Sequence, residues 1–208
     1  MINQKSEMMG LLAATLCIAM AVDAADRGPT ALWKFDEGTG TEARETISGA
    51  KDPIQGHFKY TPGVVGTALK LDGYSTSVDR KAADAPLIQG DFSIHAWVAQ
   101  GAYVWNWCPV ISQSDDTAAG YALQLGPRGD VRLQVGMAGE MQTCKSEDWV
   151  IPLRTWVHVT GVFKQGEGLT VYANGVETGR LAATGKARFA KDADLRIGMN
   201  HTPMKPSH

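Results

Sequence analysis

The stretch from Thr155 to Gly179, TWVHVTGVFKQGEGLTVYANGVETG, constrains the fold more than any other part of this chain. Val157, Val159 and Phe163 fall on one side of a period-two pattern and Trp156, His158, Thr160 and Val162 on the other, as a pleated strand requires. A Gly-rich turn leads into a second alternation, in which Leu169, Val171 and Ala173 oppose Thr170 and Tyr172. Asn174-Gly175 then supplies the two positive-φ residues of a type I′ hairpin, so a third strand returns at once. Three strands joined by reversals predict an antiparallel all-β domain, and none of them presents a reactive group.

The rest of the chain repeats this grammar. ALWKF (31–35) alternates as a first strand and gives way to DEGTGTEARETISG, read as a loop. GHFKY (56–60), GTALKLDG (66–73) and STSVD follow, and KAADAPLIQGD has room for one helical turn before Pro86. DFSIHAWVAQ (91–100) is the strongest central strand. PVISQ, GYALQLG and DVRLQVGM come next, the last two joined by a turn at Pro127-Arg128-Gly129. WVIPL precedes the meander, and ADLRIGMN closes the pattern. No helical period lasts long enough for a βαβ unit. At 208 residues and 44% hydrophobic composition, the expected architecture is one antiparallel two-sheet sandwich, with Trp33, Trp97 and Trp156 filling the core.

The first 24 residues read as an export signal rather than as fold. Lys5 gives a positive start, Met8 to Val22 is uncharged and apolar, and Val22-Asp23-Ala24 offers a cleavage site after Ala24. The run is shorter than the ~20 residues of a membrane span. Residues 25–200 are then the domain and 201–208 a tail, in a secreted or periplasmic protein with no membrane segment once the signal is removed. With Cys17 in the signal, Cys108 and Cys144 remain as an even pair, for which one disulfide is expected in an oxidising compartment, worth roughly 3 to 4 kcal/mol. The alternative is two unrelated buried thiols. A net charge of −2 gives no basic footprint for nucleic acid.

Taken in order, ALWKFDEGTGT, VVGTALKLDGYSTSVD, DFSIHAWV, GYALQLGPRGDVRLQV, TWVHVTGVF, LTVYANGVETG and ADLRIGMN resemble the successive blocks of the LamG-like jelly roll, the concanavalin A-like lectin/glucanase fold. The resemblance covers Ala31 to Asn200. It implies a final strand of the type G-x-I-D-E-V-R-I-Y, whereas here HTPMKPSH follows, so an incomplete domain with an uncovered edge near Trp33 is expected, the front portion of a longer polypeptide.

Catalytic sets are sparse. The paired carboxylates that related glucanases carry two residues apart on a strand do not occur. Glu147-Asp148, Asp115-Asp116 and Asp192 with Asp194 lie between strands, where solvated turns explain them. His57, His95 and His158 fall in strand patterns, His201 and His208 in the tail, without a nucleophile elbow or zinc spacing. The resemblance also raises calcium, for which Asp36, Glu37 and Asp72 are the available donors, but spacing assembles no ligand set and the metal stays undecided. An N-x-T sequon stands at Asn200.

The remaining signal is GAYVWNWC (101–108). If extended, it places Tyr103, Trp105 and Trp107 on one side, suited to stacking on the apolar faces of sugars; packing of these rings against the sandwich end is the competing explanation. The expected function is a noncatalytic, secreted recognition module, binding carbohydrate and forming part of a larger carbohydrate-active or adhesive protein. The alternatives are an appendage of a glycoside hydrolase whose catalytic domain lies beyond His208, and a structural or protein-binding module. Sugar identity and oligomeric state stay open.

Overall fold

A computed structural model describes residues 28–199 other than Asp116. The export signal with its cleavage site, the sequon at Asn200 and the tail histidines lie outside the described residues. The strands are β1 (Glu42–Arg44), β2 (Lys51–Gln55), β3 (Phe58–Pro62), β4 (Thr67–Leu71), β5 (Ser77–Arg80), β6 (Phe92–Val98) and β7 (Cys108–Ser114). They continue with β8 (Gly120–Leu125), β9 (Val131–Met137), β10 (Glu140–Lys145), β11 (Val157–Lys164), β12 (Gly168–Ala173), β13 (Val176–Ala182) and β14 (Leu195–Ile197). Ala82–Asp84 forms the single helical turn expected before Pro86.

Two antiparallel sheets face each other, an eight-stranded one in the order β1-β2-β5-β14-β7-β8-β9-β10 and a four-stranded one in the order β13-β12-β11-β6, with β3-β4 a separate hairpin. The all-β sandwich expected from the alternation is therefore the observed architecture. In the meander, β11 pairs with β12 and β12 with β13, and the turn between the last two has Asn174 at φ 51° and Gly175 at φ 79°, both in the left-handed region a type I′ turn demands. The inner rows meet between the sheets: Leu123, Leu133, Val131 and Val135 from one, Val157, Val159, Phe163, Leu169 and Val171 from the other, all buried. At Gly161, in the middle of β11, an added Cβ would lie 3.1 Å from a methyl carbon of both Leu123 and Leu133, so the sheets approach closely there and any larger residue requires those side chains to shift. A second cluster, Ala43, Ile54 and Val78, packs with Trp33, Phe58, Tyr60 and Leu69.

Several expectations are corrected. ALWKF is not a strand: Trp33 makes one bridge, to Glu45, and Phe35 turns to φ 57°, which ends the extended run. The polar stretch read as a loop contains β1, whose one inward residue is Ala43. WVIPL is a corner, with Trp149 at φ 68°. Trp97 does not fill the core but stands 52% exposed on the outer face of the four-stranded sheet, while Trp33 and Trp156 are half-buried. The Cys108–Cys144 disulfide is absent, and both residues are free thiols. Cys108 lies on β7 and Cys144 on β10, with β8 and β9 between them. Three inter-strand steps separate them by roughly 14 Å, more than twice the Cα separation a disulfide spans.

Candidate functional site

The loop 99–107 joins the end of β6 in one sheet to the start of β7 in the other. It bends instead of running extended, so Tyr103, Trp105 and Trp107 do not form a flat row. Tyr103 folds inward and meets the Trp149 ring edge-on at 5.3 Å between centroids. Gly129, at φ 63°, makes room for it: a Cβ there would come within 2.8 Å of the Tyr103 ring. Trp107 is half-buried beneath Arg132, whose guanidinium carbon stands 4.0 Å from the centre of the indole. Trp105, between them in the chain, is 71% exposed. Two of the three rings are thus held by packing, and the third is presented to solvent.

Trp149 was not singled out from sequence, yet it is 62% exposed and belongs with this group. Its left-handed backbone is rare for a bulky residue and costs about 1 to 3 kcal/mol. Two ladder-like bonds hold it there, Trp149 N–H to the Arg128 carbonyl at 2.7 Å and Ile151 N–H to the Gly129 carbonyl at 2.8 Å. Around it the charges interlock. Lys145 lies 2.6 Å from Asp148 and 3.2 Å from Asp130, and Arg128 lies 3.1 Å from Asp148. Hydrogen bonds from Lys145 and Arg128 hold the Asp148 carboxyl below its usual range, and those of Asp148 and Asp130 push the Lys145 ammonium up. Arg132 is different: its Nε donates to Gln124 Oε1 at 2.6 Å, a neutral acceptor.

Arg132 sits on the outer face of the eight-stranded sheet, because Leu133 beside it points into the core. Register carries that face across the sheet from Arg196 to Ser112, Ala122, Gln134 and Thr143, with Gln124 opposite Arg132. Ser112, Ala122 and Gln124 are nearly fully buried although they belong to this outer row, so the face is recessed at its centre. A cleft of about 450 Å³ opens on the other half of the same sheet, where Arg196 is bonded to Asp79 and Lys81 to Asp194. On the opposite sandwich face, Trp97 lies 5.1 Å from the His158 ring, which stacks on His95 at 5.6 Å.

The other candidates are absorbed by the fold. Asp115 Oδ1 accepts from the Thr117 and Ala119 N–H groups, and Asp194 binds Lys81 and the Ala82 N–H, so these carboxylates tie turns. Each of the calcium donors accepts from backbone N–H groups. Asp36 accepts from Thr67 N–H, Glu37 from Arg44 N–H, and Asp72 from the N–H groups of Tyr74, Ser75 and Thr76. No group of three or more His, Cys, Asp or Glu able to hold a metal ion occurs among the described residues. Among them, also, no helix is long and apolar enough to cross a membrane.

A sequence model of the concanavalin A-like lectin/glucanases superfamily matches residues 72–206. Among solved structures, domain 4 of AbnA, a GH43 extracellular arabinanase from Geobacillus stearothermophilus in complex with arabinotriose, superposes with a TM-score of 0.58 at 19% identity, covering 82% of this chain and 83% of that domain. The binding domain of botulinum neurotoxin serotype G gives 0.57 at 13% identity, over 75% of this chain and 40% of the other. That of botulinum neurotoxin DC, in complex with SialylT, gives 0.57 at 15%, over 77% and 41%. The chain spans less than half the length of these toxin domains, and at such identities the likeness is one of fold. No curated protein matches the sequence.

Proposed function

The chain belongs to the concanavalin A-like lectin/glucanases superfamily, and on that footing we propose that it is an exported, noncatalytic recognition module that binds carbohydrate through Tyr103, Trp105 and Trp107, joined by Trp149. The carrying observation is Trp105, a large ring left 71% exposed on a loop whose neighbouring rings are braced from below. An exposed indole keeps a large apolar surface in water, which a ligand covering it removes, and a sugar ring offers the flat C–H face that an aromatic quadrupole attracts. On the outer face of the sheet, Gln124 opposite Arg132 and Gln134 opposite Thr143 add hydrogen-bonding groups that suit a hydroxyl-rich ligand. The arabinanase domain, solved in complex with arabinotriose, supports the ligand class. Membership of a larger extracellular, carbohydrate-active or adhesive polypeptide belongs to the same proposal.

A protein-binding role is favoured by a different feature, the Trp97, His158 and His95 platform on the four-stranded sheet. Affinity gels and glycan arrays with Trp105→Ala and Trp97→Ala separate the two. Trp105→Ala is expected to weaken sugar binding at least tenfold, about 1.4 kcal/mol, with the unfolding temperature unchanged, and Trp97→Ala to leave it intact. Binding that survives Trp105→Ala and Trp107→Ala together removes the site from this loop.

A further inference from the structure

Resting on the carbohydrate reading above, we infer that this end of the sandwich takes a sugar bearing a carboxylate, and that Arg132 is the cation that receives it. Among the described residues, every lysine and arginine is solvent-exposed except Arg80, Arg132 and Arg196. Arg80 is bonded to Asp52 through two nitrogens, and Arg196 is bonded to Asp79. Arg132 has no such carboxylate bond: it donates to a neutral acceptor, Gln124, and that bond consumes its Nε–H. Its two terminal NH2 groups have no acceptor among the described residues.

The neighbouring ions do not fill this gap. Asp130 attracts Arg132 through space, but its carboxylate is already bonded by Lys145 and by the Arg128 N–H. Asp148 is held by Lys145 and Arg128. The local acids are therefore committed to the exposed bases, and the half-buried base is left over. Burial presses its pKa down to about 10, still well above neutral pH, so a full positive charge sits in partly desolvated surroundings with no anion in contact.

The geometry also chooses the anion. The guanidinium carbon stands 4.0 Å over the centre of the Trp107 ring and Nε is tied to Gln124, so two contacts order the group and its terminal nitrogens form a preset fork. Two parallel N–H donors match the two oxygens of a carboxylate, at little entropic cost because the fork is already ordered. A neutral sugar leaves that charge uncompensated. A uronate or a sialic acid, stacked on Trp105 with its carboxylate turned toward Arg132, satisfies both features of the site.

The test is calorimetric titration of trigalacturonic acid, its methyl ester, 3′-sialyllactose and lactose into the full chain. At least one acidic ligand is expected to bind about tenfold or more tightly than its neutral counterpart, and which one does so identifies the source of the carboxylate. Arg132→Gln should reduce that preference to within about twofold while retaining weak binding of the neutral sugar, and Arg132→Lys should restore only part of it because a point charge replaces the fork. Equal affinity of acid and neutral forms in the unmodified protein overturns the inference even if the Arg132 variants fail to fold. In that case, loss of neutral binding in Trp105→Ala still upholds the carbohydrate reading; binding of none of the four, with arrays also blank, defeats both.

Discussion

At the scale of single residues, the charges inside this sandwich are as informative as its hydrophobic rows. Arg80 is buried against Asp52, with the Trp33 indole N–H also bonded to Asp52 at 2.7 Å and the ring 4.9 Å from the guanidinium. Glu45, 1% exposed, completes this cluster at 3.7 Å from Arg80. Burial raises the Glu45 pKa, but the Ser48 hydroxyl and the N–H groups of Ile47, Leu32 and Ser48 outweigh it and bring the carboxyl to about 2. An unfolded glutamate, at 4.5, takes up its proton first as the pH falls. The carboxylate therefore stabilises the fold fully above pH ~4.5, and that stability, about 3 kcal/mol, is lost as the pH drops through the folded value near 2. Urea midpoints measured from pH 6 down to pH 3 should fall steeply, and Glu45→Gln should flatten the slope over this window while lowering the midpoint at pH 6.

At the scale of elements, the contact between sheets at Gly161 makes a sharper prediction than any apolar residue does. Gly161→Ala places a methyl against Leu123 and Leu133, both fully buried, and should cost about 1 to 3 kcal/mol as overpacking. Thermal unfolding will show whether it does; a higher unfolding temperature would mean that the layers have slack there. The strands around this contact were legible in the sequence because their apolar residues alternate, and in β6 and the first half of β9 that alternation matches the burial. β1 and β10 were not legible. Each is an outermost strand of the large sheet, β1 buries one side chain out of three, and charged residues fill its exposed positions, the usual protection of an edge. ALWKF failed for the opposite reason: it alternates well, but Trp33 spends its indole N–H on Asp52 and Phe35 leaves the extended region.

At the scale of the whole molecule, the sandwich is held without a covalent staple. Cys108 and Cys144 occupy strands three apart in the sheet, and burial raises both thiol pKa values. Reductant should leave the unfolding temperature unchanged, and thiol titration of unfolded, unreduced protein should find both cysteines reactive. Sequence parity had suggested otherwise because it carries no information on strand order. The candidate site was half legible for a similar reason. Tyr103, Trp105 and Trp107 lie in one run, but Arg132, Gln124 and Trp149 reach them from three other segments that only the sheet order brings together. The loop that carries Trp105 departs from an outermost strand of one layer and enters an interior strand of the other. A polymer dragging on that ring away from the end of the sandwich pulls lengthwise on β6 and β7, across ladders whose bonds run perpendicular to the force. Those bonds would then yield together instead of unzipping one by one, so that, on the proposed carbohydrate reading, the molecule would keep its grip under mechanical load.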